Sequence, residues 1–294
     1  MFSNYYDRFE LLFVYKINFQ SAHSYGKIAY FNALMEKEKR YTLLEKAYKK
    51  YNHLSFIEND PICIPHLLSK KQDIEIMAFW ISMLAWGNRT SIINSGHKLL
   101  DLMDGAPHQF VTQHQDTDLL RFKDFKHRTF NFTDTLAFIH FFNLHFQKNA
   151  SLETAFSKYL CKEDITVENT LIGFHNYFFS MPDMPDRTRK HIATPVRGST
   201  CKRMNMFLRW MVRPSTTGVD FGLWKKIKPS QLLCPLDIHV ERKARILGLL
   251  HRPKTDWLAV LELTENLRAF DANDPVKYDF ALFGLGVTGD TIVI

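Results

Sequence analysis

Lys202 and Asp237 are the two residues of this sequence whose types and setting could do covalent chemistry. A lysine amine that has given up its proton attacks electrophilic carbon. A neighbouring aspartate can take that proton or stabilise positive charge developing on a sugar. Each stands at the start of an apolar-periodic segment beside the most basic part of the chain. From Arg187 to Lys228 eleven lysines and arginines face Asp220 alone, so that with +7 overall the remainder of the chain is net −3. A charge excess concentrated in this way is what neutralising phosphates requires. Taken alone, Lys202 reads as a phosphate contact or a solvated charge, and Asp237 as a helix cap.

Other chemistries find less support in the residues. Cys63, Cys161, Cys201 and Cys234 are far apart and form no Cys-x-x-Cys pair, so no zinc site, iron–sulfur cluster or disulfide framework is expected. His140 and His145 stand five apart and do not share a helix face as metal ligands would, so both are read as packing or surface residues. Neither a metal nor another cofactor is expected. The apolar run Leu11–Tyr15 is too short, and too charged on its flanks, for a signal peptide or a span. A cytoplasmic, monomeric protein without membrane contact is the expectation.

The elements that must position Lys202 and Asp237 read as helices. Hydrophobic residues make up 46% of the chain, while 12 Gly and 11 Pro leave few of the turns that many short strands would need. Residues 1–34 read as an irregular, aromatic-rich extension, with Met35 as the natural start, followed by an exposed helix to Tyr51 and a loop at Pro61 and Pro65. Asp73 is expected to cap a helix that is apolar nearly all round and reaches Trp86, with Gly87 ending it. Further helices are expected over Ser91–Met103 and Thr133–Gln147. Ser180-Met-Pro-Asp-Met-Pro-Asp breaks the pattern and serves as the boundary between an N-terminal lobe, 35–180, and a C-terminal lobe, 181–294. Met204, Phe207, Leu208 and Met211 then recur at helical spacing, predicting a helix over Thr200–Val212 with Lys202 in its first turn. Pro235 and Asp237 open a helix over His239–Leu250, and another covers Asp256–Phe270. Asp274-Pro275 opens a last one, ending in Phe283-Gly284-Leu285-Gly286.

The stretch Pro235-Leu-Asp237-Ile-His239-Val240-Glu-Arg242-Lys-Ala-Arg245-Ile-Leu-Gly248-Leu resembles the Pro-Val-Asp-x-His-Val-x-Arg…Gly-Leu signature of the helix-hairpin-helix DNA glycosylase superfamily. A Gly-containing hairpin precedes the catalytic lysine there. Arg197-Gly198-Ser199-Thr200-Cys201-Lys202 is similar in its Gly-x-x-x-Lys spacing, with Thr200 where the second hairpin glycine is usual. The 35 residues from Lys202 to Asp237 resemble the spacing of the archaeal 8-oxoguanine glycosylase branch. Asp279-Phe-Ala-Leu-Phe283 likewise resembles that branch's Asp-x-x-x-aromatic stretch, which lines the base pocket. From about Tyr41 onward the chain also resembles a bacterial family of unknown function, which implies no activity.

The glycosylase resemblance implies an all-α fold of two helical lobes with a cleft, and base-excision DNA repair with AP-lyase activity on an oxidised purine such as 8-oxoguanine. Lys202 and Asp237 would be catalytic. Asp279 and Phe283 would bind a flipped base, with Trp86 a candidate for the opposite wall. Arg197, Gly198, Arg203, Arg209, Arg213 and His239 would contact double-stranded DNA. Two other readings of the same residues stay open. One is a non-catalytic DNA- or RNA-binding protein on this scaffold, and the other an all-α protein-interaction module with a basic face.

Overall fold

The computed structural model describes residues 25–289, Ser215 excepted. The chain divides into two compact units, residues 1–44 with 292–294, and residues 45–291. The expected division at residue 180 coincides with no edge of these units. Helix α1 (Tyr25–Tyr51) begins inside the stretch expected to be irregular, and the first 24 residues of that stretch lie outside the described ones.

The unit 45–291 is built from α2 (Lys71–Leu84), α3 (Arg89–Leu102), α4 (Phe132–Phe146), α5 (Glu168–Phe179), α6 (Lys202–Val212), α7 (Ile238–Ile246), α8 (Trp257–Arg268) and α9 (Tyr278–Thr288), joined by shorter helical turns. Among the described residues no strand occurs, only an isolated bridge between His127 and Phe130. The protein is therefore all-α, as its composition implies. No helix among the described residues is long and apolar enough to cross a membrane.

Helix α2 is buried from Asp73 to Leu84 because it is apolar nearly all round, and the molecule packs around it. Phe79 alone meets the rings of Phe138, Phe142, Phe156, Phe174 and Phe207, so that α4, α5 and α6 close on it from different sides. Asp73 sits in the first turn of α2 rather than at its cap. Its Oδ1 accepts a hydrogen bond from His108 N at 2.7 Å, so a tertiary partner takes the place of the local role. Helix α5 has no counterpart among the sequence expectations, although Leu171, Phe174 and Phe178 form its buried stripe. His145 is buried and bonded to Tyr177 Oη and the Ser151 carbonyl, and His140 lies 3.2 Å from the Pro182 carbonyl.

The start of the basic stretch is tied down rather than free. Asp134, wholly buried in the first turn of α4, accepts from Arg187, from Thr188 Oγ1 at 2.8 Å and from Asn131 N at 3.0 Å, with His191 Nε2 at 3.3 Å. Burial alone would raise this carboxyl. The facing His191 ring, the Asn131 N–H and the Thr188 hydroxyl outweigh it and bring the pKa down to about 2. A carboxylate depressed in the folded state adds stability that is present above its ordinary pKa and is lost as pH falls towards the folded value. About 2 kcal/mol is therefore expected to disappear between roughly pH 5 and pH 2. Thermal unfolding of Asp134→Asn across that range is the check, and the variant is expected to lack this acid-induced component.

Two helices carry the C-terminal half of the site. α7 and α9 pack at very close range, because Gly286 has no side chain: a Cβ there would lie 2.9 Å from His239 Cβ and 3.0 Å from the His239 carbonyl oxygen. That approach sets Asp237 and His239, on and before α7, beside Asp279 and Phe283 on α9.

Candidate active site

Lys202 opens α6 because the chain before it turns twice through left-handed backbone. Pro195–Arg197 forms a helical turn ended by Gly198 at φ 70°, and Cys201 at φ 48° stands immediately before Lys202. Left-handed backbone costs an L-residue about 1–2 kcal/mol. Cys201 accepts it while its N–H bonds Ser199 Oγ and its carbonyl receives Asn205 N. The second left-handed residue of this turn is thus Cys201, one position after Thr200. Asn205 Nδ2 holds the Thr200 carbonyl, and Trp257 N holds that of Gly198, fixing the turn to α6 and α8. No side chain caps α6, and the N–H groups of Ser199 and Thr200 find no partner among the described residues. Amides left open beside a helix N-terminus suit an anion.

Asp237 does two things at once. Its Oδ1 accepts from His239 N at 2.9 Å and Val240 N at 3.0 Å, capping α7, while its Oδ2 lies 3.9 Å from Lys202 Nζ. The pair opens into a cleft of about 490 Å³ whose walls also carry Trp86, His239, Asp279 and Phe283. Five residues singled out for chemistry or base binding, from four separate stretches of sequence, therefore line one cavity.

Asp279 is buried and bonded through Oδ2 to Arg209, and its Oδ1 makes no hydrogen bond among the described residues. Burial pushes its carboxyl up to about 6; Arg209 opposes the rise, the Asp237 charge adds to it and Lys202 opposes it. Phe283 has the Arg89 guanidinium over its ring at 5.1 Å and meets His239 edge-on at 6.1 Å. His239 Nδ1 also lies 3.4 Å from the Gly286 carbonyl, so this half-buried histidine faces α9. Trp86 is covered by the Arg128 guanidinium at 4.6 Å.

The phosphate contacts expected of the basic stretch need correction. Arg209 and Arg213 are buried. Arg209 joins Asp279 and lies 3.3 Å from Asp220, over the Phe280 ring. Arg213 bonds Asp274 at 2.7 Å, Asp220 at 3.0 Å and Tyr48 Oη at 2.7 Å. Neither can reach a phosphate while serving these carboxylates. Arg203 is half-buried and donates to the Met83 and Lys190 carbonyls, and burial brings its pKa down to about 10. Gly198 is exposed, but its N–H is taken by the Pro195 carbonyl. Of the expected arginines only Arg197 is exposed and, among the described residues, unpaired. Arg89 and Arg128 escape sequence reasoning, because single arginines outside a charge cluster leave no mark in a charge count.

Among the described residues no group of three or more His, Cys, Asp or Glu could hold a metal ion. The cleft's equipment is the Lys202 amine, the carboxylates of Asp60, Asp237 and Asp279, and aromatic walls, beside open amides. The sequence model of a family described as "Protein of unknown function (DUF2400)" matches residues 60–288. The chain belongs to this family. The matched span begins at Asp60, on the cleft wall, and contains Trp86, Lys202, Asp237, His239, Asp279 and Phe283. No curated protein and no solved structure matches the chain.

Proposed function

We propose that this protein is a DNA glycosylase with lyase activity, acting on an oxidised purine such as 8-oxoguanine in duplex DNA. The observation that carries the reading is the approach of Lys202 Nζ to Asp237 Oδ2, at 3.9 Å, inside the cleft that Asp279 and Phe283 line. A flipped nucleotide seated there presents its sugar C1′ to the lysine. The amine bonds to C1′ as the glycosidic bond breaks and the base leaves with the bonding pair. Asp237 accepts the proton that the amine sheds and stabilises positive charge on the sugar ring. The C1′–O4′ bond then breaks as the nitrogen lone pair forms the Schiff base, the ring oxygen taking the proton held by Asp237, and removal of a C2′ proton by a base expels the 3′-phosphate.

Asp279, with one oxygen held by Arg209 and the other free, serves as acceptor for the base's N–H edge. The open amides of Ser199 and Thr200, with Arg197 beside them, receive a backbone phosphate. A helix-hairpin-helix arrangement of two helical lobes about the cleft is part of the same proposal. So is a monomeric protein that meets the duplex alone in the cytoplasm.

Sodium borohydride reduction of the protein with an 8-oxoguanine duplex tests it. A covalent protein–DNA complex is expected, because borohydride fixes a Schiff base. A protein that binds the duplex yet forms no such complex, with this or another oxidised purine, would remove the lyase mechanism.

A further inference from the structure

We propose that Arg89 and Arg128 grip the phosphates of the DNA strand whose nucleotide enters the cleft, each held edge-outward by one of the cleft's aromatic rings. The inference rests on reading the cleft as a DNA site. It adds a binding surface on the N-terminal half, outside the basic stretch.

Most arginines of residues 45–291 are committed within the fold. Arg187 bonds Asp134, Arg252 bonds Asp256, Arg268 bonds Glu265 and Arg242 bonds the Gly286 carbonyl, besides the buried pair already described. Arg89, Arg128 and Arg197 are different: among the described residues none has a hydrogen bond or an ion pair. Two of these three guanidiniums lie over cleft rings, Arg89 on Phe283 and Arg128 on Trp86. Stacking uses the flat face of a guanidinium and leaves its N–H fork pointing outwards in the plane, the geometry that receives a phosphate bidentately. The ring fixes the position and the anion takes the edge.

The backbone gives up regular conformation to place Arg128. Its φ is +55°, a left-handed value for a side chain this long, in the turn closed by the His127–Phe130 bridge. His127 anchors that turn to α3 through Ser95 Oγ at 3.0 Å. Opposite it, Gly87 adopts φ +103°, and a Cβ there would lie 2.5 Å from Arg128 Nη1. Two departures from ordinary backbone thus converge on one guanidinium that no carboxylate among the described residues claims. Arg89 begins α3 three residues after Trp86 and lines the cleft itself. Arg197, exposed in the hairpin on the C-terminal half, is the third unpaired guanidinium.

Binding of a short duplex carrying a tetrahydrofuran abasic analogue, measured by fluorescence anisotropy over a series of salt concentrations, is the test. Each phosphate contact removed lowers the slope of log K against log salt by about 0.9. Arg128→Gly is the informative variant, because glycine suits φ +55° and so preserves the turn. It is expected to keep its unfolding midpoint, bind roughly tenfold more weakly at low salt and lose about one unit of slope. Arg89→Ala is expected to do the same, while Arg89→Lys retains the slope. Slopes equal to wild type in both Arg128→Gly and Arg89→Ala would overturn the proposal, even if borohydride trapping succeeds and the glycosylase reading stands. Reduced slopes without trapping would support the grip and remove the lysine chemistry. Absence of duplex binding by wild type at low salt would overturn both.

Discussion

Lys202→Ala is expected to abolish the borohydride-trapped complex and to slow base release by at least about a hundredfold, with the fold intact. The side chain is part-exposed, pairs among the described residues only with Asp237 at 3.9 Å, and occupies the first position of α6. Alanine is a better helix former and removes a cation from the positive end of the helix dipole, so the unfolding free energy should stay within about 0.5 kcal/mol. Asp237→Asn is its companion. Asparagine keeps the oxygen that accepts from His239 N and Val240 N, so the cap of α7 survives while the carboxylate is lost. A drop of about a hundredfold or more in base release, without a change in unfolding midpoint, would then report chemistry and not capping. Asp237→Ala would confound the two, since losing the cap costs about 1 kcal/mol. A non-catalytic binding protein predicts no base release from wild type and duplex affinity unaffected by Asp237→Asn. An undiminished trapped complex in Lys202→Ala would show that another amine forms the adduct.

The helices are legible in the sequence where period and burial agree. The Met204, Phe207, Leu208, Met211 spacing places the C-terminal end of α6 at Val212, and only its start differs, at Lys202 instead of Thr200. Asp237 caps α7 as its place before an apolar-periodic segment implies, whereas α8 is capped by Asp256, one residue past the expected opening at Thr255, and Asp73 lies inside α2. Cap chemistry is local, so sequence exposes it where no tertiary partner competes for the side chain. The left-handed turn at Cys201 is hidden, because cysteine has no preference for that conformation and tertiary hydrogen bonds hold it there.

Charge counting misleads here for a physical reason. Eleven basic residues against Asp220 look like one phosphate-binding surface, yet the carboxylates that take up Arg187, Arg209 and Arg213 include Asp134, Asp274 and Asp279, all more than fifty residues distant in sequence. Counting within a window cannot see partners outside it. Conversely, no carboxylate among the described residues pairs with Arg89 or Arg128, a property of the fold alone. Lys202, Asp237, Asp279 and Phe283, by contrast, are brought to one cleft from three separate stretches of sequence.

Arg213→Ala is accordingly expected to cost stability rather than DNA affinity, by about 3–5 kcal/mol. Arg213 is only 2% exposed and serves three acceptors at once, Asp220, Asp274 and Tyr48. Deleting it leaves Asp220, itself buried, facing Arg209 alone at 3.3 Å, and leaves Asp274 without its cationic partner. Burial already pushes the Asp274 carboxyl up, with Arg213 holding it back, so the variant should take up a proton there to relieve the unpaired charge. The unfolding midpoint should fall on the order of 10 °C. Arg213→Lys is expected to recover only part of the loss, because one ammonium cannot reproduce a planar fork that meets acceptors on separate edges. Duplex binding by the folded protein should keep the wild-type salt slope in both variants, since the guanidinium lies inside the molecule. A reduced slope with an unchanged unfolding midpoint would mean that Arg213 reaches phosphate in solution, and the buried network would then not be the state that binds DNA.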